Sequence, residues 1–386
     1  VIRGGRLTPR GQYAALALAA LAARAAFLAG GAAALGVDWR DLALRYDGHI
    51  YLQIAKTLPR LYVSERGAYL TTWLPLYPAL IRLAGFLTGD LRTAALAVSA
   101  AAAAAAVVLF RRLAGRFSER PALAAVLFLF FPPMWLLTGS LAFVEPVFLC
   151  AVLAAVVAAV EDRPAWAAAA WAVAAMSQKS GFLVPVITLL IVWDRRRRLE
   201  TRWLAALAAP ALAQAALQGY LWFLYGDPLI NLKTTRETFG GALFGFPFAA
   251  FARGIVEPSA FGGVWRRAAI ALCGLAYLAA GAAGWRRGKA AERPLLIWLG
   301  VVLAFHFSLG GFWAFHALPR YLLMGAPAAL LLALPLLPRG ERGLLLAAPL
   351  VLLPYFVGLV ELGQAESLLR RVWGPGYFEA ASARLR

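Results

Sequence analysis

Charge is scarce in this chain: 15% of its residues are Asp, Glu, Lys or Arg, against about 25% in ordinary soluble domains. Carboxylates are scarcer still, 19 against 38 Lys and Arg in 386 residues, and the net charge is +19. Histidine occurs three times and cysteine twice. Cys150 and Cys273 each lie inside an apolar run, which excludes a disulfide framework and a cysteine zinc site. The signatures of soluble enzymes are missing as well. No GxGxxG joins a strand to a helix, and neither GxxxxGK[ST] nor HExxH occurs; no nucleophile elbow is formed. Nucleotide-fuelled chemistry in the cytoplasm is therefore not expected. No repeat of roughly 20–50 residues marks an inverted-repeat transporter.

What is abundant is apolar sequence: 62% of residues are hydrophobic and the mean hydropathy is +0.72. One helical span needs roughly 20 apolar residues, and runs of that size recur along the whole chain, leaving no room for a large soluble domain. The expectation is an all-α, polytopic transmembrane helical bundle, one domain over residues 1–386 with about eleven spans. These lie near 12–36, 92–111, 121–140, 145–160, 164–178, 181–193, 203–225, 268–284, 294–312, 319–337 and 343–361. The basic and apolar N-terminus reads as a first anchor helix. The arginines fall in short loops between the runs, the pattern that marks the cytoplasmic side, so nucleic acid is rejected as a partner and the lipid bilayer takes its place. This puts the chain in the inner (plasma) membrane with its N-terminus inside. Two long outer segments, 37–91 and 226–266, and an outer tail, 362–386, follow from that orientation. Residues 73–89 are apolar enough to cross, but a crossing there would turn the RRLAGR, DRRRRLETR and RRGK loops outward. They are therefore laid along the outer interface as an amphipathic segment, with Trp73 and Tyr77 at headgroup level and Arg82 snorkelling. Pro132, Pro133, Pro185 and Pro210 predict kinks. Alanine-rich stretches at 100–106 and 167–170 allow close helix packing.

Polar groups stand at outer ends of these spans, and each admits two readings. Asp47, in LRYDGHIYLQIA, is a general base for an attacking hydroxyl or the N-cap of the helix that follows. Glu145, at the tip of an apolar hairpin, faces a functional cavity or reaches headgroup water. Lys179, in SQKSG, binds a lipid phosphate or snorkels. Arg320 clamps a phosphate or snorkels, and His316 lies four residues before it, on the same face of a helix. Asp227, Lys233, Arg236 and Glu237 hold a substrate headgroup or pair among themselves. His49, His306 and His316 with an Asp would make a metal site only if distant stretches met, so no cofactor is assigned and a divalent cation stays an option.

Five segments in order resemble one family. YDGHIYLQIA is similar to the WDxxxYLxIA signature of the PIG-V mannosyltransferases, the GPI mannosyltransferase 2 family. WLPLYPALIRLAG, FPPMWLLTGSLAFVEPVFL, AAMSQKSGFLVP and LPRYLLMGAPAALLLA resemble that family's later segments, and the resemblance covers roughly 44–335. Tyr46 stands where the family has Trp, and Lys179 near its usual Arg. The resemblance implies the GT-C fold, with amphipathic helices in the first outer loop, and an inverting transfer of a hexose, typically mannose, from a polyprenyl-phosphate sugar donor. The acceptor would be an extracytoplasmic glycolipid or glycan. Asp47 maps to the catalytic base and Glu145 to the family's acidic residue. Lys179 and Arg320 would hold the donor phosphate, with His49, Tyr51, His316 and Tyr321 lining the substrate. The rival classes are a multi-span transporter or lipid flippase, which places charge at the midplane, and a non-catalytic scaffold, in which these residues do not converge.

Overall fold

A computed structural model describes residues 8–58, 72–132, 134–238, 244–257, 264–310 and 313–338. Helix starts and stops follow local chemistry. Helix α1 (Pro9–Leu35) has Pro9 in its first turn, Thr8 accepting from the Gly11 amide at 3.2 Å, and Gly36 ending it with φ 64°. After a 3-10 turn at Trp39–Leu44 come α2 (Gly48–Thr57) and α3 (Leu76–Thr88). Asp90 then caps α4 (Leu91–Phe117) through the Thr93 amide, offsetting one of the orphaned donors of a helix start. Prolines lie in the first turns of α5 (Pro121–Phe130), α7 (Glu145–Val160) and α8 (Pro164–Ser177), where a missing N–H costs nothing. Between α5 and α7 runs the short α6 (Trp135–Ser140). The second half holds α9 (Leu183–Arg196), α10 (Thr201–Ala205), α11 (Ala208–Tyr225), α12 (Ile230–Thr238), α13 (Ala249–Val256), α14 (Val264–Arg287), α15 (Arg293–Phe307), α16 (Trp313–His316), α17 (Leu318–Tyr321) and α18 (Ala326–Ala333).

The described residues form an all-helical bundle; their one β-type pairing is an isolated bridge, Phe244 to Leu309. Among the described residues six segments are long and apolar enough to cross a membrane: Arg10–Leu35, Leu91–Phe117, Thr201–Tyr225, Val264–Arg287, Ala290–Phe307 and Leu318–Leu336. Large side chains such as Leu18, Leu212, Phe223, Trp265 and Leu272 stand exposed on these helices. Water would penalise that surface, whereas lipid does not. Helices also occupy the expected spans at 121–140, 145–160, 164–178 and 181–193, the first broken between α5 and α6. The span expected at 343–361 and the tail at 362–386 lie outside the described residues, as do residues 59–71 of the first expected loop and Pro133.

The core lies where α4 and α7 meet, flanked by α8, α9, α15 and α18. On α4 the buried residues Ala103, Val107, Phe110 and Ala114 recur at helical spacing, and α7 answers with Ala151, Ala155, Ala158 and Ala159. Small side chains let the backbones approach, and dispersion replaces the hydrophobic effect as the cohesive force in lipid. Ala167 and Ala170 on α8 join the same core.

The bundle has two distinct ends. At one, Arg112 meets Glu161, Arg120 reaches the Leu334 and Leu337 carbonyls, and Arg287 pairs with Glu292. At the other, Ser99 bonds the Phe143 backbone, and Arg320 meets Asp47 and Glu145. Helix α3 belongs to this second end. The Tyr77 hydroxyl donates to the Ala95 carbonyl at 3.2 Å and lies 2.7 Å from Ser99 Oγ. Gly85 sits against Leu91. Both ends of α3 therefore run along the first third of α4, and its 13 residues make a rod of about 20 Å, short of the ~30 Å hydrocarbon core. Its Phe86 and Leu87 are among the most exposed apolar side chains of the protein.

Three local expectations change. Arg82 does not snorkel: its Nη1 donates to the Ala55, Lys56 and Leu58 carbonyls and closes the C-terminus of α2. Pro185 and Pro210 lie in the first turns of α9 and α11 and start helices instead of kinking them. Of the described prolines expected to kink a helix, Pro132 alone marks a break, between α5 and α6, with Met134 at φ 67°.

Candidate active site

Asp47 ends a tight turn. Tyr46 before it has φ 53°, a conformation that costs an L-residue about 1–2 kcal/mol. Gly48 after it is packed so closely that a Cβ would lie 2.0 Å from the Ala43 carbonyl oxygen and 3.1 Å from Ala142. Only glycine lets the Asp47 turn lie on the 141–144 turn. Asp47 occupies the N-cap position of α2 but makes no capping hydrogen bond, so capping is not what its side chain does.

Glu145 is the first residue of α7 and is 2% exposed. The turn that delivers it is fixed from α4: Ser99 Oγ donates to the Phe143 carbonyl at 3.0 Å and accepts from the Phe143 amide at 3.3 Å. The amides of a helix start favour a negative charge at this position. Arg320, on α17, binds both acids. Its Nε donates to Glu145 Oε1 at 2.8 Å and its Nη2 lies 2.7 Å from the same oxygen. Nη2 also donates to Asp47 Oδ2 at 2.9 Å. The guanidinium carbon sits 4.7 Å from the centre of the Phe143 ring, close enough for a cation–π contact. Among the described residues two acceptors remain: Asp47 Oδ1, and Glu145 Oε2, which is buried without a hydrogen-bond partner. Nη1 of Arg320 takes part in none of these bonds.

Aromatic hydroxyls flank this triad. Tyr51, one turn beyond Asp47, is buried edge-on against Tyr77 with ring centres 4.9 Å apart. Burial, followed by the Glu145 and Asp47 charges, pushes its hydroxyl well above the usual phenol range, so it stays a neutral donor. Tyr321 stacks on His306 at 5.7 Å, and His306 Nδ1 is 2.8 Å from the Val302 carbonyl. His49 lies beside Asp47, bonded to the backbone of Tyr46 and Leu44; desolvation lowers its basicity despite the Asp47 charge. Asp47, Glu145, Arg320, Tyr51, Tyr321 and His49 therefore gather in one place.

Two other expected members, Lys179 and His316, have contacts of their own. Lys179 sits in a 3-10 turn, Lys179–Phe182, that joins α8 to α9. Gly181 holds that turn so close to α8 that a Cβ would lie 2.2 Å from the Ala174 carbonyl oxygen. Lys179 Nζ donates to Thr235 Oγ1 of α12, and burial pulls the amine down to about 7. His316 does not share a helical face with Arg320, because the helix stops at His316 and restarts at Leu318. Desolvation, with Arg266 and Arg267 next in weight, lowers His316 to about 4. In the second segment Asp227 pairs with Lys233 at 2.6 Å, the self-pairing alternative; the Glu237 side chain lies outside the described residues. Among the described residues no group of three or more His, Cys, Asp or Glu is placed to hold a metal ion.

Reasoning from the sequence missed Ser99, Phe143, Gly48 and Arg24. A serine among alanines on α4 and a glycine directly after Asp47 were the available signals. Arg24, an isolated charge in an apolar run, is 0% exposed in the middle of α1. Its Nη1 donates to the Ala20 carbonyl, it lies 5.2 Å from the Trp135 ring, and its Nε and Nη2 are buried without partners. No protein-family model matches the chain, and a search of curated proteins finds no similar sequence.

Proposed function

We propose that this protein is a membrane glycosyltransferase of the GT-C type, similar to the PIG-V mannosyltransferases. It moves a hexose, typically mannose, from a polyprenyl-phosphate donor to a glycolipid or glycan at the extracytoplasmic face of the inner membrane. The observation that carries this reading is the meeting of Asp47, Glu145 and Arg320, from three distant stretches, at 2.7–2.9 Å. Buried ionisable groups in a membrane bundle are costly and are kept for function.

Asp47 Oδ1 takes the proton of the acceptor hydroxyl. The hydroxyl oxygen attacks the anomeric carbon from the face opposite the phosphate, and the bond from that carbon to the phosphate oxygen breaks with inversion. The electron pair leaves on the polyprenyl phosphate. Arg320 offers Nη1 to that growing charge, where electrostatic help lowers the barrier, while Glu145 holds the guanidinium and presents Oε2 to a substrate hydroxyl. Lys179 meets the donor phosphate from the same end of the bundle. With membranes and polyprenyl-phosphate-mannose as donor, Asp47→Asn should lower transfer by about 10²–10⁴, the usual worth of general-base catalysis. A loss of only a few-fold would remove Asp47 from that role.

A transporter or flippase is the second reading, and Arg24 favours it: a fully buried charge at mid-helix, near the break between α5 and α6. That reading predicts movement of a lipid-linked cargo with no new glycosidic bond, so mass analysis of the products separates the two.

A further inference from the structure

At the end of the bundle opposite the triad, a cavity of about 200 Å³ opens between the C-termini of α7 and α9, lined by Ala159, Val160, Glu161, Asp162, Val192, Arg195 and Arg196. Its walls differ in kind. Ala159, Val160 and Val192 are apolar, and Glu161, Asp162, Arg195 and Arg196 are charged. Five arginines around it share three carboxylates. Glu161 holds Arg112, Arg116 and Arg163; Asp162 holds Arg196 and Arg202; Glu200 is bound by the latter two again. Asp162 also accepts from Trp203 Nε1. The two acids that line the cavity are thus already neutralised by several partners each. Among the described residues Arg195 meets no carboxylate: its Nη1 donates to the Val160 carbonyl, and its Nε and Nη2 make no hydrogen bond beside the cavity.

Exposed indoles mark the level at which the cavity sits. Trp166 and Trp193 are 69% and 49% exposed at this end of α8 and α9, and Trp285 is 78% exposed at this end of α14. Indoles prefer the headgroup zone, which sets the charged mouth of the cavity at headgroup level, while Ala159 and Val192 back it from the protein core. Basic pockets between helices at that level suit the phosphates of anionic lipids, and each arginine near such a surface contributes about fivefold in affinity.

We infer that this cavity binds the phosphate of an anionic phospholipid headgroup, with the free Nε and Nη2 of Arg195 as its donors and Ala159 and Val192 against the glycerol. The inference is independent of the reaction proposed above. The test is native mass spectrometry of detergent-purified protein exchanged into equal amounts of phosphatidylglycerol and phosphatidylcholine. The wild type should retain phosphatidylglycerol preferentially. Arg195→Gln should lower that retention roughly fivefold or more, while Arg286→Gln, at the same end but outside the cavity, should leave it unchanged. Val192→Phe, which fills the cavity without touching a charge, should also release the lipid and serves if Arg195→Gln does not fold. Equal retention of the two lipids would overturn the inference. So would retention that survives Arg195→Gln or Val192→Phe, or displacement of the lipid by inorganic phosphate at the same concentration, which would assign the site to a soluble anion.

Discussion

The two ends of this bundle use the same ionic chemistry to opposite effect. At the arginine-rich end many guanidinium groups share few carboxylates, and the cations are open to solvent: Arg112, Arg116 and Arg163 are 46%, 61% and 55% exposed around a single Glu161. At the other end one arginine serves two acids, and Glu145 is 2% exposed. The first arrangement is redundant, so any one pair is worth about 0–1 kcal/mol. The second has no spare member. Removing one partner leaves a charge buried in the low-dielectric interior of a membrane protein, where water cannot solvate it. The comparison teaches that counting ion pairs says little about where a fold is vulnerable; burial and redundancy decide.

The largest effect should come from Arg320→Ala. Thermal unfolding in detergent should show a loss of about 3–5 kcal/mol, because Glu145 is stranded next to Asp47. Arg320→Ala with Glu145→Gln should recover much of it; if the pair of changes is as damaging as the single one, the triad is not the electrostatic unit described. Lys179 extends the comparison to a half-buried cation that donates to a hydroxyl. Its amine titrates near 7 when folded and near 10.4 when unfolded, so the unfolded chain binds more protons between those values. Stability from this group therefore rises as pH climbs from about 7 towards 10 and is lowest below about 7, where the folded state must carry the half-buried charge. The slope of melting temperature against pH in that window should flatten in Lys179→Met, and an unchanged slope would place the amine in water. The smallest effect belongs to Arg112→Ala, which should cost within about 1 kcal/mol because Arg116 and Arg163 remain on Glu161. A loss comparable to that of Arg320→Ala would erase the distinction between the two ends.

Much of the architecture was legible because a bilayer allows few solutions: long apolar runs must be helices. Asp47, Glu145 and Arg320 could also be singled out, since a charge beside an apolar run is conspicuous. Other features depended on contacts that a linear reading does not hold. The pairing of His316 with Arg320 assumed a continuous helix, and Ala317 interrupts it. The bond from Lys179 to Thr235, 56 positions later, likewise depends on how α12 packs against the turn after α8. Arg82 looked like a snorkelling residue because the carbonyls it closes lie 24 to 27 positions earlier. Arg24 vanished into the average hydropathy of its run. The reaction proposed above is one that the side-chain positions alone would not have named.

The most direct test of the central claim is a double-variant cycle on the initial rate of sugar transfer, using Asp47→Asn and Arg320→Lys singly and together. Groups that act as one catalytic unit are strongly non-additive, so the combined variant should be little slower than the slower single one. Losses that multiply would show that Asp47 and Arg320 act separately and would contradict the account.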